Sequence, residues 1–291
     1  MSTSFRVAVT GANGQLGRLV IETLARSLPP RAVVALVRDP AHLSAPFPEG
    51  VEVRQGDYER PETLDIALKD VDRLLLISSN ALGARLAQHR NVIAAASRAG
   101  VERLAYTSVL RADTSSLGLA EEHRQTEALI RTSGLSYTLL RNGWYTENYA
   151  ASIPAALAHG ALLGSAGDGH ISSASRQDYA EAAAQALIED TGPQVVHELA
   201  GDLAYTLTEF AAEIARQAGK PVAYVHLPQA EFRSALVGAG LPSPVAELLS
   251  DSDAAAAKGA LFDRSGQLSR LIGRPTTPFT ATVAETLAAG G

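Results

Sequence analysis

The segment Thr10-Gly-Ala-Asn-Gly-Gln-Leu-Gly17 joins a short apolar run, Arg6–Thr10, to an amphipathic stretch, Gln15–Leu28. Between a strand and a helix, three glycines at this spacing suit the binding of a pyrophosphate. Gly11 permits the tight turn, Gly14 lets the backbone approach the phosphates, and Gly17 allows the helix to pack closely on the sheet. Open N–H groups at the helix start, with the dipole behind them, hold the negative charge. Gly11, Ala12, Asn13, Gly14, Gln15, Leu16 and Gly17 are therefore expected to form a dinucleotide loop.

Roughly 20 residues beyond such a loop, the tip of the second strand selects the cofactor. Here that tip reads Val37-Arg38-Asp39-Pro40. A guanidinium at Arg38 pairs with a 2′-phosphate and selects NADPH. Asp39, one position later, would instead take the ribose hydroxyls of NADH, so NADH stays open beside the favoured NADPH.

The glycine spacing, G-x-x-G-x-x-G, is similar to that of short-chain and extended dehydrogenases, which usually carry Tyr-x-x-x-Lys as their acid. The lysines are Lys69, Lys220 and Lys258, and four residues before them stand Asp65, Arg216 and Ala254. The motif is absent. Tyr137-x-x-x-Arg141 imitates it on an expected strand, where a spacing of four does not bring two side chains together. On the helix where the motif would sit, His123 and Glu127 fall four apart on one face. The pair could relay a proton, or His123 could line the cofactor pocket, or both could belong to a mixed-charge helix surface. As a metal site it lacks a third ligand, so no metal is expected.

These residues need a scaffold. Strand-length apolar runs at Arg6–Thr10, Ala32–Val37, Val51–Gln55, Arg73–Ile77, Arg103–Thr107 and Tyr137–Leu140 alternate with helical patterns. The helices are expected at Gln15–Leu28, Pro61–Leu68, Ala84–Ala99 and Ala120–Thr132. Most of the runs are apolar without alternation, as in strands covered on both faces. The fold class is α/β: a doubly wound, Rossmann-like parallel sheet with a smaller C-terminal lobe. The expected division is 1–150 for the NAD(P)-binding domain and 151–291 for a closely packed substrate-side lobe. In the second part a helix is expected at Gln177–Glu189 and a strand at Val195–Ala200. Thr206-Leu-Thr-Glu209 reads as a capping box opening a helix to Gln217, and two or three short helices fill Gln229–Ile272.

Composition removes other classes. The 291 residues are 46% hydrophobic and 19% charged with a net charge of −6, enough apolar material for a core and no basic block for a long nucleic acid. Cysteine is absent, which removes disulfides and thiolate chemistry. No apolar run reaches the ~18 residues of a membrane span, and a cytoplasmic location is expected.

Further segments carry a family resemblance: Leu74-Leu-Leu-Ile-Ser-Ser79, Ala105-Tyr-Thr-Ser108, Ala112-Asp-Thr-Ser115, Leu139-Leu-Arg-Asn-Gly-Trp-Tyr145, Ala166-Gly-Asp-Gly169, Glu198-Leu-Ala-Gly-Asp202 and Leu271-Ile-Gly-Arg-Pro-Thr276. Together with the glycine loop they resemble the NmrA-like atypical short-chain dehydrogenases, in particular their quinone-reducing members. The resemblance implies a flavin-free enzyme passing a hydride from NADPH to a small-molecule quinone, with no metal. It implies that Ser78, Ser79 and Asn80 lie along the cofactor, that Asn142, Gly143, Trp144, Tyr145, Thr146 and Glu147 pass beside the nicotinamide, and that Arg176 lies near it. Asn142 would orient the acceptor, with Trp144 and Tyr145 as a flat wall. A hydroquinone anion is far less basic than an alkoxide, so water can supply its proton without a tyrosine–lysine pair. A nucleotide-sensing regulator without turnover and a reductase of dyes or other conjugated acceptors are the alternatives. The sequence leaves a homodimer open.

Overall fold

A computed structural model of the chain describes residues 5–81, 83–189 and 192–290. The first elements are β1 (Val7–Val9), α1 (Gln15–Ser27), β2 (Val33–Val37), β3 (Glu52–Gln55), α2 (Pro61–Ala67) and β4 (Arg73–Leu76). Then come α3 (Arg85–Ala99), β5 (Arg103–Val109), α4 (Ala120–Arg131) and β6 (Ser136–Asn142). After these the chain forms α5 (Thr146–Ala150), α6 (Ile153–His159), β7 (Ala161–Gly164), α7 (Arg176–Ile188) and β8 (Gln194–Leu199). It ends with α8 (Leu207–Ala218), β9 (Ala223–His226), α9 (Gln229–Gly238), α10 (Ser243–Ala256), α11 (Gln267–Ile272) and α12 (Phe279–Ala289).

Seven strands form one sheet in the order β3-β2-β1-β4-β5-β6-β8. The neighbours from β3 through β6 pair in parallel, with Val7 opposite both Val33 and Arg73. This is the Rossmann-like order, reversing direction between β1 and β4. The central strands are largely buried on both faces because both are covered. Ala8, Val34, Leu36, Leu74, Leu76, Leu104 and Tyr106 pack with Leu64 and Leu68 around α2 and with Val92 and Ala96 of α3. The intervening residues Val7, Val9, Val33, Ala35 and Leu75 point the other way and are equally buried. On that side α1 packs against the alanine-rich α7, whose small side chains allow a close approach. The edge strand β3 carries Glu52 and Arg54, charges that discourage further strand pairing.

The chain divides into two units, and not at a single point. One comprises Met1–Ala112, Glu121–Asn142 and Arg176–Glu198; the other comprises Asp113–Ala120, Gly143–Ser175 and Leu199–Gly291. Residues 176–198 thus return to the sheet-bearing unit, adding α7 and β8, although the sequence rhythm changes near residue 150. In the second unit β7 and β9 form a two-stranded parallel sheet, pairing Leu163 with Val225. Its core is aromatic: Tyr205 lies 4.2 Å from Phe279 and 5.6 Å from Phe210, centroid to centroid. The capping box forms as expected, with the Glu209 N–H donating to Thr206 and the Thr206 N–H to Glu209. Among the described residues, no helix is long and apolar enough to cross a membrane.

Candidate functional site

The glycine loop turns sharply at the end of β1. Gly11 holds a φ of +59°, a region that side chains disfavour. Gly17 has no room for a side chain, since a Cβ there would lie 2.4 Å from the Gly11 carbonyl oxygen. α1 therefore starts against the backbone of the turn. Gly14 is its N-cap and supplies no side-chain cap, so the first-turn N–H groups open toward the loop.

Gly11, Asn13 and Gly14 line a cleft of about 790 Å³ together with Arg38, Ser78 and Asn80. These residues follow β1, β2 and β4, so the cleft lies at the carboxyl ends of the strands where their order reverses. Open α/β sheets bind ligands at that point. Ser79 lines the same cleft. Ala12 and Leu16 do not; both are buried, leaving only their backbone to a ligand. Gln15 is exposed at the start of α1.

Arg38 is exposed, and its guanidinium has no partner among the described residues. Its neighbour is already engaged. Asp39 accepts from the Ala41 N–H at 2.9 Å and pairs with His42 Nδ1 at 2.6 Å. The His42 hydrogen bond, then that of Ala41, holds its carboxyl below the usual carboxylate range. Of the two candidates for the cofactor's ribose end, Asp39 is held by its own loop, while Arg38 has no partner among the described residues. Asn13 ties the loop after β2 to α1: its Oδ1 accepts from the Ser44 N–H at 3.0 Å and from Arg18 at 2.6 Å.

Other cleft residues were invisible to motif reading. Tyr58, Glu59 and Gln88 line the cleft, yet none belongs to a local pattern. The Tyr58 hydroxyl donates to the Ile77 carbonyl at 2.8 Å, and so braces the end of β4. His42 had a faint signal, lying four residues beyond Arg38.

His123 and Glu127, for which the sequence leaves a proton relay, a place in the cofactor pocket and a plain helix surface all open, do not hydrogen-bond to each other. His123 hydrogen-bonds the Tyr106 hydroxyl at 2.7 Å and lies outside the cleft lining. Glu127 takes two hydrogen bonds from Arg141, at 2.9 and 2.7 Å, and one from Ser108 at 2.6 Å. Arg141 also donates to Glu198 at 2.8 Å. α4 lies over β5 and β6, so His123 meets β5 while Glu127, one turn on, meets both β5 and β6. Each member is held by different partners, and no hydrogen bond joins the two. Among the described residues, no cluster of His, Asp or Glu is placed to hold a metal ion.

Two buried imidazoles carry a pH consequence. Burial pushes His89 down to about 3 and His123 well below its usual value. Below pH ~6.5 the unfolded chain takes up a proton that the folded His89 rejects down to about pH 3, so stability falls as the pH falls. Acidification from pH 7 to 5 is expected to remove about 2 kcal/mol through His89, with His123 acting in the same direction. Urea unfolding at both pH values checks this, and an unchanged midpoint would refute it.

Asn142 ends β6. It is buried, and its Oδ1 has no partner among the described residues. It does not line the cleft around Arg38. Arg176 opens α7 in the same unit. Gly143, Trp144, Tyr145, Thr146 and Glu147 belong to the second unit. There Gly143 donates to the Leu199 carbonyl at 2.7 Å, and Trp144 and Thr146 exchange backbone hydrogen bonds with Ala174. The hydroxyls of Thr146 and Ser173 meet at 2.8 Å. The nearby Tyr149 is a core residue, its hydroxyl donating to the buried Asp253 at 2.9 Å.

The sequence pattern of the NAD(P)H-binding family matches residues 11–190, which contain the glycine loop, Arg38 and the elements from β2 to α7. The chain belongs to this family. It is similar to quinone oxidoreductase 2 of Escherichia coli strain K12, with 54% identity over 95% of this chain and 97% of that protein. The crystal structure of the E. coli NADPH-dependent quinone oxidoreductase complexed with NADPH superposes with a TM-score of 0.92, covering 97% of this chain and 99% of that one. The Citrobacter sp. triphenylmethane reductase complexed with NADP(H) superposes equally well, at 0.92, with 37% identity over 96% of this chain and 99% of that one. An NmrA-like family domain-containing oxidoreductase of Aspergillus flavus is 30% identical over 94% of this chain and 92% of its own length. The NmrA-like resemblance and the Rossmann-like fold read from the sequence are both borne out.

Proposed function

We propose that this protein transfers a hydride from NADPH to a quinone without a flavin. The observation that carries the cofactor choice is the cleft itself: an open helix start beside a glycine turn, an Arg38 without a partner among the described residues, and an Asp39 already bound by its own loop. These residues fit a dinucleotide with a 2′-phosphate. The quinone is supported by the 54% identity, over nearly the full length, to the E. coli enzyme.

When bound, NADPH supplies the hydride that, with a proton from water, converts the quinone to its hydroquinone. The chain's own residues bind and position. The first-turn N–H groups of α1 hold the pyrophosphate, Arg38 holds the 2′-phosphate, and the Ser78–Asn80 loop flanks the cofactor. Ser108, His123 and Glu127 hydrogen-bond to neighbouring side chains and none of them lines the cleft, so none is assigned a proton-transfer role. Catalysis then rests on positioning and on fixed dipoles. The Asn142 amide is assigned to orienting the acceptor, with its Nδ2 donating to the quinone oxygen; its buried Oδ1, without a partner among the described residues, is an acceptor and takes no part in that contact. Asn142→Ala should lower kcat about 10-fold, the order of one hydrogen bond to a developing charge, with KM for NADPH unchanged. An unaltered kcat removes Asn142 from the mechanism.

The direct test is anaerobic oxidation of NADPH by flavin-free protein with a small benzoquinone, after subtraction of the uncatalysed rate. Enzyme-dependent oxidation supports the reading. Tight NADPH binding without turnover would favour a nucleotide-sensing role instead. The 37% identity to the Citrobacter triphenylmethane reductase supports a second reading, reduction of a conjugated dye, which the same assay resolves with a triphenylmethane dye as acceptor.

A further inference from the structure

Ser79 stands in the loop between β4 and α3, and three side chains of α3 grip its polar groups. Its N–H donates to His89 Nε2 at 2.9 Å, and its carbonyl accepts from Arg85 Nε at 2.7 Å. Its hydroxyl donates to Gln88 Oε1 and accepts from the Ala81 N–H at 3.1 Å. Positions 85, 88 and 89 share one helical face by their spacing, and all three side chains are buried. A surface loop of this length would ordinarily leave these backbone groups to water. Here one helix face meets all of them.

His89 is the deepest member, fully buried, with the Tyr58 and Tyr106 rings edge-on at 6.3 and 5.4 Å. Accepting a backbone N–H at Nε2 fixes its tautomer, so Nδ1 carries the proton. That proton goes to the Thr126 hydroxyl at 3.0 Å, which donates in turn to the Glu122 carbonyl at 2.8 Å. The imidazole is thereby held by α4 on one side while it holds the cleft loop on the other.

We infer that His89 is a positioning residue for the dinucleotide: through the Ser79 N–H it fixes the Ser78–Asn80 loop in the shape that binds the cofactor. The inference rests on the reading of the cleft as an NADPH site. It predicts that loss of the Ser79 bond weakens NADPH and NADH alike, because the loop is distinct from the Arg38 end of the cleft. kcat at saturating NADPH stays unchanged.

Two neutral variants separate the two imidazole nitrogens. In His89→Gln the longer amide reaches Ser79 with an acceptor oxygen in place of Nε2. In His89→Asn the shorter amide stays near Thr126 and falls short of Ser79. Calorimetric titration of the full-length protein should give a Kd for both nucleotides raised about 10-fold in His89→Asn and less than about 3-fold in His89→Gln, the order of one buried hydrogen bond. Equal affinities in His89→Asn and wild type overturn the inference, as do equal losses in both variants. If neither variant folds, hydrogen exchange on the unaltered protein decides: the Ser79 amide is expected to be protected at least 100-fold, and free exchange overturns the inference. Titration needs no turnover, so a protein that binds NADPH and reduces no quinone would overturn the proposed reaction alone. A wild-type protein that binds neither nucleotide overturns both.

Discussion

Replacing Arg141 with leucine is expected to lower the free energy of unfolding by about 3–5 kcal/mol, the usual consequence of stripping one partner from a buried ion pair. Arg141 and Glu127 are each about 5% exposed and meet through two hydrogen bonds. Without the guanidinium, Glu127 keeps the Ser108 hydroxyl and a more distant Arg131 at 3.6 Å. Neither compensates a carboxylate removed from water. Glu198 is more exposed and keeps the Arg111 N–H at 2.7 Å, so the damage concentrates on Glu127. The double variant Glu127→Leu/Arg141→Leu should recover part of the loss, since it removes the orphaned charge as well. Urea unfolding of the wild type, both single variants and the double variant measures this. A loss below about 1 kcal/mol in Arg141→Leu would mean that water reaches the pair.

Replacing Arg38 with alanine is expected to act in the opposite manner, leaving stability alone and changing the choice of cofactor. The side chain is exposed and unpaired among the described residues, so its removal breaks nothing in the folded protein. A charge-assisted contact to a phosphate contributes about 1.5–3 kcal/mol. KM for NADPH should therefore rise roughly 10- to 100-fold while KM for NADH stays within about twofold. Added salt should shrink the wild-type preference for NADPH and leave the variant nearly indifferent. Equal changes for the two nucleotides would place the 2′-phosphate elsewhere in the cleft.

Much of the scaffold was legible because its strands are buried on both faces. Val33–Val37 reads as an unbroken apolar run and Arg103–Val109 as a mostly apolar one without strict alternation, as sheets covered by helices require. The pair β7 and β9 escaped sequence reading. Residues Ala223–His226 are largely exposed and show no clean alternation, and their parallel partner lies some sixty residues earlier. α12 escaped as well, since its place depends on Phe279 meeting Tyr205 and Phe210.

The sequence by itself determined the shape of the glycine loop and the place of Arg38, the counter-charge proposed for the cofactor. Gly11, Gly14 and Gly17 act through backbone shape over eight consecutive residues, and Arg38 lies at a distance set by one strand–helix–strand unit. Local spacing carries that information. Only the tertiary structure decided how the polar side chains are used. His123 and Glu127 share a helix face, yet one meets Tyr106 on β5 and the other Arg141 on β6. Asp39 stood as the rival to the favoured Arg38 until its own loop folded back onto it, and His89 met Ser79 only when α3 was laid against the loop after β4. Each outcome depends on which desolvated group finds a partner, and that is settled when distant segments are packed together.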